Sequence, residues 1–105
     1  MRIVLETEDG EILRSVFDRY NRLLDLASRS DIDRTHIDCK RLVDFIDEYG
    51  DTICNRLQIA QLEDELAALG EYAKSDEEQK LLTQLHALVA ESKRHVHIYI
   101  RFRGD

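Results

Sequence analysis

The sequence predicts a mainly α, α+β fold of order β-α-α-α-α-β, a four-helix core with short N- and C-terminal strands forming a two-stranded ribbon. Three observations lead there. Apolar residues recur at helical spacing through the interior of the chain, the C-terminal stretch alternates strictly between polar and apolar, and the absence of Pro with only 4 Gly leaves little to interrupt long elements. A length of 105 residues with 43% hydrophobic content suits a single compact domain, 1–105, with a real core and no need of staples.

Residues 1–6, rich in Ile, Val and Leu, form a strand candidate, and Thr7-Glu8-Asp9-Gly10 is turn chemistry. Leu13, Val16, Phe17, Tyr20, Leu23, Leu24 and Ala27 then follow i, i+3, i+4 spacing, so 11–28 reads as an amphipathic helix. Asp9-Gly10 is also a hairpin signal, which makes a second strand at 11–15 the local rival. Helical spacing fits the longer window better.

After the polar break at 28–31, Thr35 is the expected N-cap of a helix over 36–49 with Asp38 at N3. Its stripe is Cys39, Leu42, Val43, Ile46 and Tyr49, and Gly50 follows as the C′ residue. Asp51 or Thr52 caps a third helix with the stripe Ile53, Leu57, Ile59, Leu62, Leu66 and Leu69. Gly70 ends it or lies within it. Ser75 or Asp76 caps a fourth, whose stripe is Leu81, Leu82, Leu85, Leu88 and Val89, with Glu77 and Glu78 suited to its N-terminal dipole.

Residues 95–103 alternate throughout. Val96, Ile98, Ile100 and Phe102 should face a core, with His95, His97, Tyr99, Arg101 and Arg103 on the opposite side. Up-down counting of four helices returns this strand antiparallel to the first. So small a ribbon leaves edges open, and pairing of two copies across them is a route to a homodimer.

The net charge of −7 is unevenly placed. Residues 1–43 hold eight bases and nine acids, 44–78 two bases and eleven acids, and 79–105 five bases and two acids. An acidic middle disfavours nucleic acid and anionic membranes as partners. No apolar run approaches the ~18 residues of a membrane span, and the N-terminus is not that of a signal peptide. Two cysteines, Cys39 and Cys54, make no framework and suggest reduced thiols in a cytoplasmic protein. His36 and Cys39 stand three apart, but nothing nearby completes a metal site. No nucleophile elbow, phosphate loop, zinc or calcium motif is present, so neither a cofactor nor a metal is expected. Arg103-Gly104-Asp105 spells an adhesion tripeptide, which so short a match does not support.

Two surfaces remain as candidates. Asp44, Asp47, Glu48 and Asp51 would cluster around the end of the second helix, where they oppose its dipole, and Glu63, Asp64 and Glu65 lie on the third. Carboxylates that local stability does not explain suggest docking on a basic partner protein, steered electrostatically. That chemistry fits a small, non-enzymatic, cytoplasmic inhibitor, immunity protein, antitoxin or phage-encoded inhibitor. The alternative lies on the last strand, where His95, His97, Tyr99, Arg101 and Arg103 would form a row spaced about 6.5–7 Å. There His97 would serve as acid/base and Arg101 as phosphate clamp in a nucleic-acid or nucleotide-acting enzyme. In the bland version of that face, Arg101 or Arg103 pairs across to Glu6. A self-assembling scaffold subunit is a third alternative.

Overall fold

The chain opens with a β-hairpin. In the computed structural model, which describes residues 1–31 and 41–104, β1 (Arg2–Thr7) and β2 (Ile12–Phe17) are antiparallel neighbours. The connecting turn is closed by a bond from Gly10 N to Thr7 O of 3.0 Å and one from Thr7 N to Glu11 O of 2.9 Å. Gly10 adopts φ +87°, the left-handed conformation that only glycine takes without strain. The expected helix over 11–28 is therefore corrected: its first half is β2, and only α1 (Arg22–Asp31) is helical. A bulge explains the misleading spacing. Register shifts between Leu5, opposite Arg14, and Glu6, opposite Ile12, so Leu13 is an extra residue. Leu13 and Val16, three apart, both pack on the core, as they would on a helix.

Asp18 ties this entry together. Its buried carboxylate accepts from the first two amides of α1, Arg22 N and Leu23 N, each at 2.9 Å, and its carbonyl accepts from the Met1 amino group at 2.8 Å.

Beyond α1 come a short 3-10 turn (Leu42–Phe45), β3 (Asp51–Cys54), α2 (Arg56–Leu69), a second 3-10 turn (Gly70–Tyr72), α3 (Asp76–Ser92) and β4 (Ile98–Arg103). Of the expected helix over 36–49, the described part is the 3-10 turn and an irregular segment. Thr35, His36, Asp38 and Cys39 lie outside the described residues. The third helix starts later than expected because 51–54 is taken by β3, and Asn55 forms a capping box with Gln58. The Ser75 cap of α3 is present, again as a capping box, with Glu78.

The four strands make one antiparallel sheet of order β2-β1-β4-β3. Among the described residues, three helices and this sheet replace the expected four-helix core with its terminal ribbon. The terminal strands are the two central strands, each hydrogen-bonded on both sides, so the expected homodimer route through their edges is absent. Among the described residues, β2 and β3 are the edge strands.

One face of the sheet is covered by helices. Ile3, Leu5, Val16, Ile98, Ile100 and Phe102 meet Leu23 and Leu26 of α1, Leu62 and Leu66 of α2, and Leu85, Leu88 and Val89 of α3 in one buried cluster. A second tie holds α1 to α3, where Arg29 pairs with the buried carboxylate of Glu78. The other face carries no helix among the described residues, and Ile12, Phe17 and Ile53 lie exposed on it. No helix among the described residues is long and apolar enough to cross a membrane.

Candidate functional site

The segment 41–57 runs from α1 to the first turn of α2 along the β3 edge, and its path is set by four side chains. Arg41 is bidentate to Asp44 at 3.1 and 2.8 Å and reaches back to the Ala27 carbonyl at 2.8 Å. Glu65 on α2 accepts from Leu42 N at 2.9 Å and Val43 N at 3.0 Å, holding the 3-10 turn by its own free amides. Asp47 accepts from Tyr49 N at 2.9 Å and donates its own amide to Thr52 Oγ1 at 3.0 Å, which shapes the turn into β3. Arg101 bonds Asp51 at 3.0 Å. The chain's end closes the turn: Gly104 N donates to Gly50 O at 2.8 Å, and a Cβ at Gly104 would stand 2.5 Å from that oxygen. Backbone proximity, with no reference to adhesion, accounts for that glycine.

The structure thus divides the seven carboxylates expected to bind a partner. Asp44, Asp47, Asp51 and Glu65 hold the segment in shape, and Glu63 pairs with Lys93 at 2.7 Å. Glu48 and Asp64 are the two with neither a backbone bond nor a cationic partner among the described residues. No helix ends at 49, so the dipole conflict inferred for Asp47, Glu48 and Asp51 does not arise.

What the sequence reasoning missed is apolar. Phe45 is 62% exposed, Tyr49 78% and Leu57 85%, and Ile53 is exposed on the uncovered sheet face. Leu57 and Ile53 belong to the expected helical stripe and Tyr49 to the one before it. Phe45 fitted no stripe, and a ring off every stripe among Asp44, Asp47 and Glu48 was the available signal. The Tyr49 phenol is held above its ordinary pKa, first by a side-chain hydrogen bond to Glu48 and next by that carboxylate's charge. It therefore stays a neutral donor.

The row expected on the last strand is only half assembled. Tyr99, Arg101 and Arg103 share the uncovered face, but β4 starts at Ile98 and the two histidines precede it. His97 has φ +55°, which breaks the strand and turns Val96 to solvent instead of the core. His95 sits 3.3 Å from Glu91 on α3, and His97 sits 3.4 Å from Glu8 in the hairpin turn. Arg101 spans the sheet, bonding the buried Glu6 at 2.6 Å as well as Asp51, and the Glu6 hydrogen bond raises its already high pKa further. Two carboxylates thus occupy the group expected to clamp a phosphate. Tyr99 and Arg101 border an open groove of about 430 Å³, and His97 and Tyr99 a neighbouring one of about 390 Å³. Among the described residues, no three His, Cys, Asp or Glu side chains converge as a metal site would require.

Comparison of the chain with known families, curated proteins and solved structures gives no match.

Proposed function

We propose that this chain is a small acidic protein-binding module, acting without catalysis, that docks the segment 44–57 on a basic partner protein as an inhibitor, immunity protein or antitoxin does. One observation supports it above the others: Phe45, Tyr49, Ile53 and Leu57 stand exposed in a stretch that also carries Asp44, Asp47, Glu48 and Asp51. A lone exposed apolar side chain is ordinary, whereas a concentration of large ones in one segment is a feature of interaction surfaces, and protein interfaces use aromatic anchors as hot spots. Carboxylates around such anchors accelerate encounter with a basic surface and disfavour acidic ones. The internal bonds of Asp44, Asp47 and Glu65 add pre-organisation, since a loop already held in shape loses less entropy on docking. The cytoplasm is the compartment that suits it, with Cys54 a free buried thiol.

The test is capture of partners from native lysate on the wild-type chain and on Tyr49→Ala and Glu48→Lys, at low and high salt, with mass-spectrometric identification. One stoichiometric basic protein held at low salt, and bound at least about tenfold more weakly by Tyr49→Ala, is the expected result. Equal retention by all three chains, or no retained protein, overturns the proposal.

A further inference from the structure

A groove of about 270 Å³ lies between the end of β2, the start of α1 and the first turns of α3. Its walls include Phe17, Arg19, Tyr20, Arg22 and Lys80. Phe17 is 64% exposed and Tyr20 66%. The guanidinium carbons of Arg19 and Arg22 stand 5.6 and 5.0 Å from the centre of the Tyr20 ring, so each engages a π-face without using up its N–H donors.

Position rather than pairing sets these cations apart. In a chain with 22 acids against 15 bases, Arg29, Arg41, Lys93, Arg94 and Arg101 each hold a carboxylate. Arg19, Arg22 and Lys80 form no ion pair with a described residue. Arg2, Arg14, Arg56, Lys74 and Arg103 form none either, but Arg19, Arg22 and Lys80 gather in one groove beside two exposed rings. Two acids also line the groove. Asp18 is buried and committed to the amides of α1, which leaves Glu77 as the one negative charge free to oppose three positive ones. Arg2 extends the basic track, because its Cα is the cross-strand partner of Phe17.

We infer that this groove binds single-stranded nucleic acid, with phosphates on Arg19, Arg22 and Lys80 and a base stacked on Phe17, while the Tyr20 ring holds the two guanidiniums in place. Exposed rings beside unpaired cations are what sequence-tolerant strand binding requires: charge follows the backbone, and any base can stack. An acidic peptide would satisfy the cations but brings no flat base to stack on Phe17. The site lies outside the segment 44–57, so it stands or falls independently of the protein-docking proposal. The excess of acids elsewhere confines such binding to this face.

Fluorescence anisotropy of the full chain with labelled oligouridylate and oligothymidylate tests it. Saturable binding on the order of micromolar is expected at about 50 mM salt, weakening steeply by about 200 mM as counterions are released. The double variant Arg19→Gln/Arg22→Gln and, separately, Phe17→Ala should each weaken it about tenfold or more, with Arg56→Gln as a control outside the groove. Thermal melts confirm that the variants fold, and the Asp18 cap is untouched in all of them. Absence of saturable binding, equal loss in Arg56→Gln, or full affinity in Arg19→Gln/Arg22→Gln overturns the inference. So does competition by an oligoglutamate peptide as strong as by the unlabelled oligonucleotide, which would reduce the groove to an acidic-peptide site.

Discussion

The acidic segment 44–57 and the basic groove around Tyr20 each combine exposed rings with charge mainly of one sign, yet they use their charges differently. In the acidic segment, Asp44, Asp47 and Asp51 are bonded within the molecule, and the charge is part of the scaffold. In the basic groove Arg19 and Arg22 meet a ring, and neither they nor Lys80 pair with a described carboxylate. A count of charges does not separate these cases. The partner of each charge does, since a bonded carboxylate shapes a surface while an unpaired one offers it.

That contrast is broken or sharpened by substitution. The largest effect is expected for Arg101→Met, which leaves Glu6, 5% exposed, without its cation. A loss of about 2–3 kcal/mol in urea denaturation should follow, whereas Arg22→Gln should change stability by less than about 0.5 kcal/mol. Equal costs for the two arginines would erase the distinction between scaffold and offered charge.

Within the acidic set, Glu65→Ala removes the acceptor of two backbone amides and should cost about 1–3 kcal/mol. Asp64→Lys and Glu48→Lys should stay within about 0.5 kcal/mol. If the two lysine variants melt as early as Glu65→Ala, these carboxylates are structural too and cannot be reserved for a partner.

The last effect is a pH dependence. Burial, with a lesser contribution from the charge of Glu65, pushes the Cys54 thiol up from 9.0 to about 11. In alkali the unfolded chain therefore releases this proton first, and stability falls as pH rises. The contribution is whole below pH 9.0 and is lost as pH rises towards about 11. The stability gap between wild type and Cys54→Ala should shrink across that interval in urea titrations, and a gap independent of pH would place the thiol in contact with water.

Much of the molecule was legible in its sequence. The stripe of α3, the buried half of α2 and the alternation of Ile98, Ile100 and Phe102 declare their elements, because a run with one unbroken period admits one way of burying its apolar face. The bulge at Leu13 hid β2 by placing strand residues at helical spacing. The short β3 was hidden because Ile53 and Leu57, four apart, imitate a helical stripe while both face solvent. At His97 the alternation ran past the point where the backbone turns left-handed, so a nine-residue pattern yielded a six-residue strand.

Sequence by itself determined the turn at 7–10, the cap at Ser75 and which side chains of α3 and β4 enter the core, since turn, cap and periodicity all act within a few residues. Tertiary structure decided that the two ends of the chain become the two central strands. It also chose, between the two readings the sequence offered for Arg101, the pairing with Glu6, added Asp51 as a second partner, and left Phe45, Tyr49 and Leu57 in water. Those outcomes depend on partners up to 95 residues apart in the chain, and no local period or propensity encodes which distant group a side chain will meet.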